Sequence, residues 1–335
     1  MIRPFHLRDA RTVARLQQVG ISLDVEEQLT HPRSPLRSAF IDTFLSPHSG
    51  PSTFILDQRD EHGSHLGLAQ MRTRPGRPEQ DVVFISPSLD TGNGSHAIWQ
   101  RLLTHLCIQT AERGNFRLYA GLPVSSEELQ LFKNIGFVPY CQEDIYQLPS
   151  QQAPFDFGEE LHLRPQQASD GWGLQKLYST LTPRAVQNAE GLAQGKWALH
   201  DRRWSEQGRR HGYVWDVGGE LLGALYIRIG KQGYWLRTLL HPDALDQANA
   251  LCKAALELIG NEKKLPVYFA FRQYETGWHP VLTELGFQSL TSQTLVVKPM
   301  TVRIREKTPS LMPALEKSPS ESAAATPAIT HSETL

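Results

Sequence analysis

The part of the chain best suited to chemistry lies at residues 82–103. An apolar run, Val82-Val83-Phe84-Ile85, passes through Ser86-Pro87 into Asp90-Thr91-Gly92-Asn93-Gly94-Ser95. The helical pattern His96-Ala97-Ile98-Trp99-Gln100-Arg101-Leu102-Leu103 follows at once. This reads as strand, glycine turn, helix. The first turn of a helix leaves N–H groups without acceptors and carries the positive end of the dipole. Glycines let an anion approach such groups closely. Residues 92–95 are therefore a candidate cradle for a pyrophosphate, although the same pattern also serves as a plain strand-to-helix turn. His96, just beyond, reads either as a phosphate contact or as a first-turn surface residue. His62 and His65 bracket a Gly63-Ser64 turn, but two histidines lack the third ligand a metal site needs, and no metal is expected.

These residues sit in a chain whose composition excludes several classes. Its 335 residues suggest two domains or one large one. Lys and Arg total 34 against 35 Asp and Glu, a net charge of −1, so no global field draws in nucleic acid or an anionic membrane. Hydrophobic residues make up 40% and charged ones 21%, enough apolar matter for a packed core. No apolar stretch reaches the roughly 20 residues of a membrane span, and Met1-Ile2-Arg3-Pro4-Phe5-His6 lacks the apolar core of a signal peptide. Cys107, Cys141 and Cys252 are too few and too scattered for a disulfide framework. A cytoplasmic protein is expected.

The elements that must position the glycine turn occur twice. Ile2-Arg3-Pro4 reappears as Leu163-Arg164-Pro165, and the 66–72 run Leu66-Gly67-Leu68-Ala69-Gln70-Met71-Arg72 as Leu222-Gly223-Ala224-Leu225-Tyr226-Ile227-Arg228. Ile85-Ser86-Pro87 sits over Leu240-His241-Pro242, and Leu131-Phe132-Lys133-Asn134-Ile135-Gly136-Phe137 over Val281-Leu282-Thr283-Glu284-Leu285-Gly286-Phe287. The separation drifts in one direction, from 161 residues at Arg3 and Arg164 to 150 at Gly136 and Gly286, as small loop insertions would cause. Asp9 and Ser169 are placed to cap helices over 9–20 and 169–181. Further helix is expected at 35–45 and 195–207. Strands follow at 53–57, 66–72 and 81–86, matched by 212–216, 221–229 and 234–240. Long amphipathic helices at 95–113 and 245–259 come next, then strands at 116–120 and 267–271, short helices closing at Gly136 and Gly286, and last strands at 144–148 and 294–298. An α/β architecture with a mixed sheet flanked by helices follows. The expected domains are 1–148 and 161–300, joined by a polar, proline-bearing linker at 149–160. Residues 301–335 lack aromatics and are rich in Ser, Thr, Pro and Ala, so a disordered tail is expected there.

A strand, a Gly-x-Gly turn, a long helix, a strand and a short helix closing in Gly-Phe resembles the GNAT superfamily of acyl-coenzyme A-dependent N-acyltransferases. Leu131-Phe132-Lys133-Asn134-Ile135-Gly136-Phe137 is similar to that family's L-Y-x-K-x-G-F, and Ile2-Arg3-Pro4 to its usual opening. The resemblance covers about 1–148 and, more faintly, 161–299, so the chain looks like a tandem GNAT protein. It implies that acetyl-coenzyme A or another acyl-coenzyme A is the co-substrate and that an amine attacks the thioester directly. Gly92, Asn93, Gly94 and Ser95 would then hold the pyrophosphate, and the backbone of Ile85 and Ser86 the pantetheine, between splayed strands 81–86 and 116–120.

The motif is incomplete. Leu89 stands where the family has Gln or Arg, Asp90 adds an anion beside the turn, and Phe132 replaces the tyrosine that protonates the leaving thiolate. In the second half Ala248 and Ala250 take the glycine positions, with Asp243 and Asp246 nearby, and Leu282 takes the tyrosine position. The active site is accordingly expected in the first half. Tyr119 and Tyr140 are candidate replacements for the missing acid, and Glu127 and Glu128 candidate bases; each also reads as an ordinary structural residue. Trp197, Trp204, Trp215, Trp235, Trp278 and Tyr226 read as core or as a pocket lining, and Arg202, Arg203, Arg209 and Arg210 as a solvated helix face. The expected acceptor is a small-molecule or protein amine, the expected assembly a monomeric pseudo-dimer. The alternative is a catalytically inactive GNAT-like ligand-binding or protein-interaction module.

Overall fold

The computed structural model describes residues 1–45, 52–60, 63–74, 76–92, 94–149, 161–191, 209–260 and 264–300. Asn93, His62, Trp197, Trp204, Arg202, Arg203, the 195–207 helix and the 301–335 tail lie outside the described residues. In chain order the first half runs β1 (Ile2–Pro4), α1 (Ala10–Leu16), β2 (Ile21–Ser22), α2 (Val25–Thr30), α3 (Pro35–Leu45), β3 (Thr53–Asp60), β4 (Gly63–Thr73), β5 (Glu79–Ser86), α4 (Ser95–Glu112), β6 (Arg117–Pro123), α5 (Glu127–Asn134) and β7 (Val138–Leu148). The second half runs β8 (Arg164–Pro165), α6 (Gly171–Leu181), α7 (Arg184–Glu190), β9 (Arg209–Val217), β10 (Glu220–Ile229), β11 (Tyr234–Leu240), α8 (Ala248–Ile259), β12 (Val267–Arg272), α9 (Trp278–Glu284) and β13 (Gln288–Pro299). Arg209 and Arg210 thus belong to a strand, correcting the expectation of a helix face.

The repeat is visible atom by atom. Arg3 clamps Asp9 with nitrogens 2.5 and 2.7 Å from its oxygens, and Arg164 clamps Asp170 at 2.9 and 2.8 Å. In both cases the same carboxylate accepts the N–H three residues upstream, from His6 and from Gln167. The pair fastens the opening strand of each half to its first helix.

One mixed sheet runs through both halves, in the order β1-β3-β4-β5-β6-β13-β7-β12-β11-β10-β9-β8. The last strand of each half is exchanged. β13 pairs with β6 of the first half, β7 pairs with β12 of the second, and β7 and β13 pair with each other. Glu143 and Gln293, equivalent in the repeat, face each other across that central pair and so mark its pseudo-dyad. One apolar core packs α4 and α5 under the first half, around Trp99, Leu102, Leu103 and Phe132. A second packs α8 and α9 under the other, around Leu251, Cys252, Phe269 and Trp278. Met1–Val302 form one compact unit.

Candidate functional site

β5 and β6 run parallel and pair only from Glu79↔Arg117 to Asp81↔Tyr119, after which they splay. β11 and β12 repeat this, pairing from Tyr234↔Val267 to Arg237↔Ala270. Each half therefore carries a V-shaped gap in the sheet. The two gaps differ. In the first, Ile21 and Ser22 of β2 pair antiparallel with Ile85 and Phe84. Leu23 N–H donates to Val83 C=O at 2.9 Å, and Ser88 N–H to Val19 C=O at 2.7 Å. The alternation of an antiparallel ladder then makes Ile21 and Ile85 a hydrogen-bonded pair. The outer edge of β5 at Ile85 is thus engaged by the chain itself. Ser86 is buried, and its hydroxyl donates to Leu16 C=O at 2.7 Å. Gly20 makes room for this segment, since any side chain there would strike the Ile85 carbonyl and Ser86.

In the second gap His241 N–H donates to Leu222 C=O at 2.8 Å. The same alternation turns the N–H and C=O of Leu240 away from β10 and toward β12, beyond the point where pairing stops. Among the described residues nothing bonds to them.

The glycine turn is only partly open. Gly92 and Gly94 are exposed, with φ of 72° and 83° that favour glycine at both positions. The N–H groups of Gly94 and His96 have no acceptor among the described residues, but Ser95 N–H donates to Gly92 C=O at 3.2 Å. The Ser95 hydroxyl is turned inward and donates to the same carbonyl at 2.6 Å. His96 Nε2 lies 2.8 Å from Glu127 Oε1, which joins the exposed first turns of α4 and α5.

Between the halves, at the apex of the first gap, lies a cavity of about 250 Å³. Val82, Val83, Ala120 and Gly121 form its first-half wall, and Trp235, Arg237 and Arg272 its second. Tyr119 and Tyr140 both line it, with rings 6.3 Å apart. Glu127, at 62% side-chain exposure, is not among the lining residues, and the structure does not bring it to the tyrosines. The Tyr119 hydroxyl lies 3.1 Å from Ala189 C=O and 3.3 Å from Glu79 Oε1, and its ring carries the Arg74 guanidinium at 3.9 Å. Burial, with Glu79 adding to it, raises the Tyr119 phenol well above its ordinary pKa. Burial pushes Tyr140 up to about 12, against the pull of Arg272 and Arg74. Both phenols stay protonated at neutral pH.

A network of ion pairs surrounds the cavity, and the sequence reading had not singled it out. Arg272 Nε donates to Glu143 at 3.1 Å and its Nη2 to Glu190 at 2.9 Å, all three residues being buried. Gln293 donates to Glu143 at 2.7 Å, and Tyr178 to Glu190 at 2.6 Å. Arg72 pairs with Asp24 and, at 2.7 Å, with Glu27, while Arg228 reaches Glu26 across the halves at 2.6 Å. Burial alone would raise Glu143 and Asp24. Arg237 and Arg272 hold Glu143 below its ordinary pKa, and Arg72 does so for Asp24. Arg272 Nη1 and Gln293 Oε1, on lining residues, are buried without a hydrogen-bond partner among the described residues. A donor and an acceptor left open beside a cavity suit a polar occupant. Arg72 and Arg228, at matching positions of the repeat, were the available sequence signal.

Comparison with solved structures decides what scaffold this is. A GCN5-related N-acetyltransferase from Sphaerobacter thermophilus superposes with a TM-score of 0.54 at 15% identity, over 89% of this chain and 95% of that one. A tandem GNAT protein from the clavulanic acid biosynthesis pathway gives 0.52 at 16% identity, over 89% and 98%. The chain has the GNAT fold, twice over. No family model and no curated protein matches the sequence. Each of the two copies of the fold carries one of the splays, one beside Val83 and Ile85 and the other beside Thr238 and Leu240. Among the described residues no group of three or more His, Cys, Asp or Glu is placed to hold a metal, and no helix is long and apolar enough to cross a membrane.

Proposed function

We propose that this protein is an acyl-coenzyme A-dependent N-acyltransferase whose amine acceptor occupies the cavity between the halves, and that it works as a cytoplasmic, monomeric pseudo-dimer of halves 1–148 and 161–300. The observation that carries this is the edge of β5. It already accepts an extended chain bearing amides, residues 19–23, at the mouth of the cavity. That segment stands in for the pantetheine arm, whose amides make the same kind of main-chain bonds. Val83 and Ile85 would hold the arm and Gly92, Asn93 and Gly94 the pyrophosphate, with Ser86, whose main chain turns toward β4, anchoring the strand through its bond to Leu16 and Ser95 supporting the turn through its bond to Gly92. The coenzyme supplies an activated acyl group when bound. The chain supplies position: Asp24 and Glu143, ionised in their arginine pairs, line the apex where the acceptor would sit, and its amine attacks in the neutral form. Tyr140 keeps its proton and so acts as a hydrogen-bond donor toward a developing anion, whereas the Tyr119 hydroxyl is already engaged by Ala189 C=O and Glu79.

β2 must leave for this to happen. It is two half-buried residues long, and each bond it makes is worth about 0.5–1.5 kcal/mol net. Replacement by the donor's own amides offsets that loss. A second reading follows from the same strand: a ligand-binding module in which β2 fills the slot permanently. Titration of acetyl-coenzyme A into wild type and Ile21→Pro separates the two. Proline removes the N–H that pairs with Ile85, so competition predicts binding at least about threefold tighter in the variant, a gain of roughly 0.7 kcal/mol. If neither protein binds at millimolar concentration, the binding-module reading stands.

A further inference from the structure

A second cavity, of about 290 Å³, lies where residues 31–41 of the first half meet the β10–β11 turn of the second. His31, Arg33, Arg37 and Lys231 line it, with Ser34 and Gln232. No acidic residue does. Carboxylates that pair with the arginines of the central cavity line it too; here the carboxylate that pairs with Arg33 lies outside the lining. Glu27 lies 3.6 Å from Arg33 but is shared with Arg72 at 2.7 Å. The backbone of the β10–β11 turn is anchored on the end of α2. Gln232 N–H donates to Thr30 C=O at 3.0 Å, and Gly230 packs so closely on that carbonyl that no side chain fits there. The backbone of Lys231 is thereby held at the cavity that Arg33 and Arg37 also line.

Cations gathered from two elements around a cavity repel one another, and they persist most simply where an anion belongs. The surroundings fit an oxyanion with several acceptor atoms. Arg37 offers a planar fork, and α3, 11 residues long, begins at the cavity. The main-chain N–H of Arg37, in its first turn, has no acceptor among the described residues. His31 Nδ1 is buried without a hydrogen-bond partner among the described residues. Burial first, and then Lys231, Arg33, Arg228 and Arg37, press the His31 imidazole below its ordinary pKa, so the cations act on one another across the cavity.

We infer that this cavity binds the phosphoryl group of a small phosphorylated ligand. The site does not depend on acyl transfer and would exist in either reading of the donor slot. Coenzyme A also carries phosphates, so the test uses two probes. Inorganic pyrophosphate and acetyl-coenzyme A are each titrated, at low salt, into wild type, Lys231→Arg and the double variant Arg37→Ala, Lys231→Ala. Pyrophosphate affinity is expected to fall at least about tenfold in the double variant and to stay within about threefold in Lys231→Arg, which keeps the charge. Acetyl-coenzyme A affinity, where measurable, is expected to be the same in all three. Thermal melting guards against mere misfolding. Without anion the double variant, relieved of repulsion, should melt no lower than wild type, and with saturating pyrophosphate it should melt below it. Absence of pyrophosphate binding to wild type at millimolar concentration overturns the inference. So does equal binding by the double variant, or a tenfold loss of acetyl-coenzyme A binding in it, which would assign the phosphate to the donor.

Discussion

In the first half the glycine turn survives at Gly92 and Gly94, while the edge of β5 beside it is paired with β2. In the second half the edge at Leu240 is open among the described residues, while the turn positions carry Ala248 and Ala250 and the approach carries Asp243. On the function proposed above, the two halves have kept opposite parts of one donor site. The difference teaches that the splay belongs to the sheet and not to its ligand. Pairing stops after Asp81↔Tyr119 where a strand fills the gap and after Arg237↔Ala270 where none does among the described residues. Sheet continuity explains the tolerance. Because β13 closes the first half and β7 the second, each half is braced by the other whatever its own slot contains.

The seam is where the comparison breaks most strongly. Arg272 of the second half is buried to 4% exposure and serves Glu143 and Glu190, both also buried. Arg72 of the first half serves Asp24 and Glu27 from a side chain 30% exposed. Removing one partner of a buried set leaves charge without compensation, at a cost of about 3–5 kcal/mol. Arg272→Met should therefore lower the urea midpoint by that equivalent. Arg72→Met, with water able to reach the stranded carboxylates, should cost about 1–3 kcal/mol. Equal losses from the two would show that the seam is not special.

The matched clamps allow a finer comparison through pH. Hydrogen bonds from Arg3, against the opposing effect of burial, hold Asp9 below its ordinary carboxylate pKa, and those from Arg164 do the same for Asp170. A carboxylate depressed in the folded state lends stability that is whole above its unfolded pKa, about 4, and drains as pH falls through the folded value. Asp9→Asn and Asp170→Asn should each remove about 1–2 kcal/mol at neutral pH, with partial exposure of the arginines holding the figure down. Each should also flatten the fall in stability below about pH 4. Arg164 has a second acceptor in Asp216 at 2.9 Å, so Asp170→Asn leaves it a partner and should cost the less of the two. A steeper loss at Asp170 would reverse that ranking.

The sequence made most elements legible, because apolar periodicity and turn residues are local signals. The 234–240 strand and the 35–45 helix fall where expected. The exchange of last strands was not legible. The alternation in 144–148 and 294–298 specifies an edge to be covered and says nothing of which half covers it. β2 was missed for a related reason: two residues have no period. Tyr119 and Tyr140 were placed by type alone, and the structure brings them to one cavity, whereas Glu127 faces His96. The arginines of the seam were hidden in strand-like runs such as Phe269-Ala270-Phe271-Arg272, where a charge looks like a solvated position until its partner, 129 residues away, is known.

The smallest effect bears most directly on the two slots, because it changes no residue. Hydrogen exchange reports whether a main-chain N–H is bonded and how the structure opens around it. Ile85 and Leu240 are equivalent, and both are buried, at 0% and 3% exposure. Their environments differ chiefly in the neighbour on the outer edge. Ile85 N–H, paired with β2, should exchange only when that segment detaches; Leu240 N–H, with no described acceptor, should exchange at least about tenfold faster. Saturating ligand sharpens the contrast. Acetyl-coenzyme A in the first slot replaces β2's bonds and leaves Ile85 protected while residues 21–23 lose protection. A ligand in the second slot protects Leu240 and leaves β2 untouched. Equal protection of the two amides in the free protein would mean that the second gap is also closed, by part of the chain outside the described residues, and the asymmetry between the halves would vanish.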